Sequence, residues 1–270
     1  MAVFPPHPDR RPVAISGASS GIGAAVAEAF AASGHPVALG ARRVERLEEI
    51  AEKLRSDGAE VFTHRLDVTD TESVRDFAAA VTEALGPVEI LVSNAGRLQP
   101  GVLHEIDSTE LAADLDVNIL GTHRLVRAFV PDMVRRRRGD VVLLSSDVAD
   151  QVRPFVAGYA TSKWGLDGMA RSMRYELEGT GVRLSVVRPG PTLTEMGMDW
   201  DAEATEMVLN QWIRLGLARS SYFLKARSIA DAVHHVATLR RGVHIPYLEV
   251  QPEVPPTEDP AEDPADKQEA

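Results

Sequence analysis

The chain predicts an α/β fold, a Rossmann-like doubly wound parallel sheet of seven strands with helices on both faces. Three observations carry this expectation. Short apolar runs alternate with longer amphipathic stretches along most of the 270 residues. That rhythm calls for parallel strands joined by right-handed helical crossovers. The first apolar run leads directly into a glycine-rich turn and then an alanine-rich helix. No apolar stretch approaches the ~20 residues of a membrane-spanning helix.

The β-like runs are PVAIS (12–16), PVALG (36–40), EVFTHRL (60–66), VEILVSN (88–94), DVVLLSS (140–146), VRLSVVRP (182–189) and VHIPYLEV (243–250). Helix-like periodicity falls near 22–33, 43–57, 70–85, 108–137, 158–179 and 228–240. The run Arg135–Arg138 before Gly139 reads as a last helical turn whose cations suit the dipole, with the glycine as the stop. Segment 190–227 is too long for a simple connection between strands six and seven, and reads as a substrate loop or lid. Residues 1–11 read as an N-terminal extension and 12–250 as one domain.

Composition limits the chemistry. There is no cysteine, so disulfides, thiolate nucleophiles and thiolate metal sites are excluded. No His/Asp/Glu cluster has metal spacing, and His234 and His235 read as helix-surface residues. The net charge is −11, but residues 251–270 hold seven acids and five prolines against one lysine. That tail has almost no apolar content and is expected to be disordered. No basic surface predicts nucleic-acid binding, and neither a membrane span nor a signal-peptide run is present, so a cytoplasmic location is expected.

The turn reads SGASSGIG (16–23), with glycines at Gly17, Gly21 and Gly23. Between a strand and a helix, such a turn lets the backbone approach a pyrophosphate and packs the helix onto the strand. The helix N-terminus offers free N–H groups to the phosphates. An NAD site ends the second strand with an acid for the ribose hydroxyls. Here that strand ends LGARR, with Ala41 where the acid would stand and Arg42 and Arg43 after it. An arginine there can pair with an adenosine 2′-phosphate, so NADP(H) is expected over NAD(H).

The stretch YATSK (159–163) puts Tyr159 and Lys163 four residues apart. On a helix their Cβ atoms would be ~5–6 Å apart on one face. Bringing a free tyrosine from pKa ~10 to neutrality requires about 4 kcal/mol. A lysine charge ~5 Å away supplies roughly 3.3 kcal/mol at an effective dielectric of 20. Lys163 would nearly suffice if both groups were shielded from water.

With these motifs in order, the chain resembles the short-chain dehydrogenase/reductase family. The matching elements are SGASSGIG, LDV (66–68), NAG (94–96), Asn118 in DVNILG, SS (145–146), YATSK and RPGPTLT (188–194). They span about two-thirds of the chain. The resemblance implies strand order 3-2-1-4-5-6-7, a nicotinamide cofactor, a small carbonyl or alcohol substrate, and a homodimer or homotetramer built on the regions 108–137 and 158–179. It assigns Asn118, Ser146, Tyr159 and Lys163 to catalysis. Tyr159 would exchange the proton, Ser146 would hold the substrate oxygen, Lys163 would also hold the nicotinamide ribose, and Asn118 would anchor a water. Ser146 is chosen over Ser145 for its spacing from Tyr159.

For the cofactor, the resemblance brings in Gly17, Ser19, Ser20, Gly21, Ile22 and Gly23 of the turn, with Arg42 and Arg43. It places Asp67 and Val68 at the adenine, Asn94, Ala95 and Gly96 along the cofactor, and Pro189, Gly190, Thr192 and Thr194 beyond strand six, Thr194 at the nicotinamide amide. Small departures are Ser16 where threonine is common, Ser93 before NAG, and the lack of a glycine-rich end to the last strand.

Segment 194–224 carries Met196, Met198, Trp200, Met207, Trp212 and Phe223. Methionine and tryptophan offer adaptable apolar contact. Met196, Trp200 and Trp212 are therefore expected, with Ser146 and Tyr159, to contact a hydrophobic substrate. Trp164, next to the lysine, is expected to pack its helix. The alternative reading is a non-catalytic dinucleotide sensor on the same fold.

Overall fold

A computed structural model describes residues 4–196, 200, 202–217 and 222–253. Met198 and the acidic tail beyond residue 253 lie outside the described residues.

In chain order the elements are β1 (Val13–Ser16), α1 (Gly21–Ala32), β2 (Val37–Ala41), α2 (Val44–Ser56), β3 (Val61–Arg65), α3 (Thr71–Leu85) and β4 (Ile90–Ser93). Then come α4 (Ser108–Leu115), a π-helical turn (Asp116–Leu120), α5 (Gly121–Arg136), β5 (Gly139–Leu144), α6 (Ala157–Glu176) and β6 (Val182–Pro189). The chain continues through β7 (Thr192–Leu193), α7 (Ala202–Arg214), β8 (Leu224–Lys225), α8 (Ala226–Thr238) and β9 (Tyr247–Val250). The main sheet is parallel in the order β3-β2-β1-β4-β5-β6-β9. This is the expected order, its last strand being ninth in the chain because two short strands intervene.

Burial explains the strand sequences. Strands β1, β2, β4 and β5 are buried along their whole length, and the edge strand β3 is only half-buried. Central parallel strands covered on both faces read as continuous apolar runs. One face packs on α1, α2 and α8 through Phe30, Leu39, Leu47, Val233 and Val236. The other packs on α3, α5 and α6 through Phe77, Leu91, Leu125, Met133 and Leu166.

Strand order reverses between β1 and β4, which opens a crevice at their carboxyl ends,. Ser16 closes its floor. The Ser16 hydroxyl accepts from the backbone N–H of Asn94 at 3.0 Å and of Ala95 at 3.1 Å. The Asn94 amide donates back to the Ser16 and Gly17 carbonyls at 3.0 and 3.1 Å.

One local expectation is refined and one corrected. The region 108–137 is helical from 108 to 136 as expected, but a π-helical turn centred on Asn118 widens it midway. The arginine run ends its helix without Gly139. Arg137 itself takes the left-handed conformation at φ 55°, and Gly139 begins β5, where a Cβ would lie 2.6 Å from Met133 Sδ. Arg136 and Arg138 serve Glu89, a buried carboxylate that both guanidiniums reach. At the other end of the chain, Arg11 is buried and paired with Asp140, which also accepts from Arg183 at 2.6 Å. No helix among the described residues is long and apolar enough to cross a membrane.

Candidate active site

A cleft of about 770 Å³ opens at the switch point. Its walls bring together Gly17, Ser19, Ser20, Gly21, Ile22, Arg42, Arg43, Asp67, Val68, Asn94, Ala95 and Gly96. The same cleft is lined by Ser146, Tyr159, Lys163, Pro189, Gly190, Thr192, Thr194, Met196, Trp200 and Trp212. Of the expected site residues, Gly23 and Asn118 do not line it.

Each outlier has a physical reason. A Cβ at Gly23 would stand 2.2 Å from the Gly17 carbonyl oxygen, so this glycine lets α1 pack under the turn. Asn118 is only 1% exposed and its amide is spent. Its Oδ1 accepts from Arg97 N at 2.8 Å, and its Nδ2 donates to Arg97 O at 2.9 Å and Ser162 Oγ at 2.8 Å. It ties the loop after β4 to α6, behind the cleft wall.

The turn suits a diphosphate. Gly17 and Gly21 have φ of 67° and 53°, the left-handed region that side chains resist. A Cβ on Gly17 would lie 2.8 Å from Ala95 Cα. Helix α1 starts at Gly21, and its cap residue Ser20 makes no side-chain capping bond. The first-turn N–H groups and the positive dipole end therefore offer an anion site at the cleft. Arg43 reinforces it by donating to Ser19 Oγ at 3.0 Å and Ser20 Oγ at 2.8 Å. The Asp67 carboxylate is held by the Thr69 N–H at 3.0 Å and hydroxyl at 2.7 Å. These residues fit the diphosphate and adenosine of a dinucleotide.

At the other end, β5 and α6 set the reactive groups. Helix α6 puts Tyr159 and Lys163 one turn apart, with the Lys163 ammonium 5.5 Å from the Tyr159 ring centre. Lys163 donates to the Leu144 carbonyl at the end of β5, at 2.7 Å. Ser146 follows β5; its hydroxyl lies within hydrogen-bonding reach of Tyr159 and donates to Asp147 at 3.2 Å.

Burial dominates the electrostatics here. It pushes the Tyr159 phenol up to about 12, the Ser146 hydrogen bond pulling the other way. It pushes the Lys163 ammonium down to about 8, with Asp167 opposing. The expected lowering of Tyr159 by Lys163 is thus overturned in this state. Desolvating a charge costs several kcal/mol, and one lysine at this range returns only about 3.

Sequence reasoning missed several lining residues, among them Asp147, Arg153 and Glu195. Arg153 is buried against Asp147, donating at 2.9 and 2.6 Å, and lies 5.5 Å over the Trp212 ring. Glu195 reaches Arg43 at 2.9 Å and also pairs with Arg46. None belongs to a short motif; the only signal for Asp147 was its place beside the serine pair. Trp212 donates to the Pro154 carbonyl at 2.9 Å. Trp200 and Trp212 pack on the cluster of Val148, Val156, Tyr159 and Ala160. Trp164 is largely exposed rather than packed, its indole donating to Val148 O at 3.1 Å.

The comparisons with known proteins agree with this geometry. Glycine betaine reductase from Emericella nidulans is 38% identical over 237 residues, 87% of this chain and 18% of the reductase. A short chain dehydrogenase from Pseudocercospora fijiensis is 36% identical over 70% of this chain and 62% of its own. The chain thus spans less than two-thirds of either relative. An alcohol dehydrogenase from Thermococcus sibiricus, solved with 5-hydroxy-NADP, superposes with a TM-score of 0.78 at 34% identity, over 91% of this chain and all of that one. A Burkholderia phymatum short chain dehydrogenase/reductase solved with NAD gives 0.78 at 27% identity, over 89% of each chain. The profile of the short chain dehydrogenases matches residues 11–205, and the chain, with this sheet and this cleft, belongs to the short-chain dehydrogenase/reductase family of oxidoreductases.

Proposed function

We propose that the chain transfers a hydride between NADP(H) and a carbonyl or secondary alcohol on a largely apolar substrate. The observation that carries this reading is the shared cleft: the glycine turn with Arg43 stands at one end, and Tyr159, Ser146 and Lys163 stand enclosed at the other. When bound, the dinucleotide supplies or accepts the hydride. Its phosphates would be held by the Gly17–Gly21 turn, the α1 N-terminus, Ser19, Ser20, Arg42 and Arg43.

The chain's own residues would manage the proton. The phenol of Tyr159 donates its proton to the carbonyl oxygen during reduction and becomes tyrosinate; during oxidation that tyrosinate accepts the proton of the alcohol hydroxyl. Ser146 holds that oxygen as charge develops on it. Lys163, anchored on Leu144 O, offsets the charge left on Tyr159. Asn118 acts as a positioning residue that fixes Arg97 and Ser162. Leu98, Val148, Val156, Trp200 and Trp212 supply apolar walls for the substrate. Leu120 and Trp164, exposed on the helical face, support a homo-oligomer on that face.

The test is a panel of ketones, aldehydes and alcohols of graded size, run with NADPH, NADP⁺, NADH and NAD⁺. Turnover of apolar members with the phosphorylated cofactors preferred is expected. Cofactor binding with no turnover on any member would favour a sensor, and a preference for NADH would overturn the cofactor assignment.

A further inference from the structure

Residues 194–196 form a strap across the cleft. Thr194 sits against the phosphate turn, since a Cβ on Gly21 would lie 3.2 Å from Thr194 Cβ. Met196 sits against the loop after β4, since a Cβ on Gly96 would lie 3.3 Å from Met196 Cε. Behind the strap, β7 pairs with β8 through Thr192↔Leu224 and Leu193↔Lys225, which ties the start of the cap to its end.

Between those two contacts, Glu195 turns to the β2–α2 side. Its Oε2 accepts from Arg43 Nη1 at 2.9 Å and its Oε1 from Arg46. The same Arg43 guanidinium donates to Ser19 and Ser20 with its remaining N–H groups. Two guanidiniums thus converge on one anion, one of them also held by the turn serines, and the anion is the chain's own carboxylate. Arg43 and Glu195 leave 46% and 43% of their side chains exposed, so water and salt reach the pair and it can be exchanged at little cost.

We propose that Glu195 is a specificity-determining latch, a carboxylate that holds the anion position a cofactor 2′-phosphate takes. The inference rests on the NADP(H) reading above. A phosphate on Arg43 and Ser20 cannot share them with a carboxylate without repulsion. Entry of the phosphorylated nucleotide therefore displaces Glu195 and frees the strap. A nucleotide lacking that phosphate leaves the latch closed. Glu195 accordingly weakens NADP(H) binding and couples cofactor loading to the cap.

The test uses the full chain and two nucleotide fragments, adenosine 2′,5′-bisphosphate and 5′-AMP, titrated calorimetrically into wild type, Glu195→Gln and Arg43→Ala. Amide exchange of residues 192–196 is read alongside. Glu195→Gln is expected to bind the bisphosphate about 2- to 5-fold more tightly, leave 5′-AMP unchanged and show raised exchange in the strap without nucleotide. Wild type is expected to reach that exchange level only with the bisphosphate. Suppose wild type prefers the bisphosphate and Arg43→Ala abolishes the preference, while Glu195→Gln binds it equally or less well. Then the latch is wrong and the NADP(H) reading survives. A wild type with no preference for the bisphosphate would overturn both.

Discussion

At one end of the cleft, Tyr159 and Lys163 keep only 8% and 4% of their surface in contact with solvent. At the other end, the Arg43–Glu195 pair lies nearly half in water. The dry pair is 5.5 Å from ring to ammonium, and burial above all holds its phenol up at about 12 and its ammonium down at about 8. The wet pair touches at 2.9 Å, yet a pair so exposed contributes about 0–1 kcal/mol in water,. Proximity therefore says little about how strongly charges act; enclosure decides it. The dry end is suited to holding a proton until a substrate oxygen develops charge. The wet end is suited to swapping one anion for another.

The largest effect that would break this contrast lies at Tyr159. Tyr159→Phe keeps the ring and its packing and removes only the hydroxyl that carries the proton. A loss of ~10²–10⁴ in kcat is expected, with nucleotide affinity unchanged, as for the removal of a general acid. Near-normal turnover would mean that enclosure of the phenol has nothing to do with the chemistry.

A second effect is in pH. Lys163 is held near 8, so its charge is present below that pH and lost above it. Reduction, which needs the charge to balance a developing tyrosinate, should be level below about 8 and fall by about tenfold per pH unit above it. Lys163→Arg keeps its cation beyond pH 12 and should lack this fall even if its rate is lower throughout. Stability should move the other way. Between about 8 and 10.5 the unfolded lysine holds more protons than the folded one, so this group's penalty is lifted as pH rises. Stopped-flow rates and urea melts across pH 6–10.5 check both arms. A reduction rate that rises above pH 8 in wild type would contradict the role given to Lys163.

The smallest effect sharpens the boundary between the two ends. The indole N–H of Trp200, in the cap, is buried with no acceptor among the described residues. Trp200→Phe retains an aromatic wall and deletes that donor. KM should rise about 2- to 10-fold for substrates with a second acceptor near the carbonyl, the worth of one neutral hydrogen bond. Purely apolar substrates should be unaffected. An equal rise for both classes would assign Trp200 to packing alone.

The regular parts of this molecule are legible in its amino-acid order. The buried strands announce themselves as unbroken apolar runs because both faces are covered, and every predicted strand is present with shifts of a few residues at its ends. The turn 16–23 and the Tyr159–Lys163 spacing are likewise local, since backbone freedom and helical pitch act within a few residues. The widened turn at Asn118 was not legible, since its amide is satisfied by Arg97 and Ser162, 21 and 44 positions away.

Nor could the sequence tell which of Arg42 and Arg43 reaches the glycine turn. Arg43 does, donating to Ser19 and Ser20, and on its other side it meets Glu195, 152 residues away. The direction in which the Tyr159 pKa moves was also a tertiary matter. Charge spacing along α6 can be counted from the sequence, but the exclusion of water that outweighs it comes from β5, the 147–156 loop and the cap closing together. Local order follows from short-range sterics and periodicity. The pairing and drying of charges follow from which distant segments the fold brings into contact.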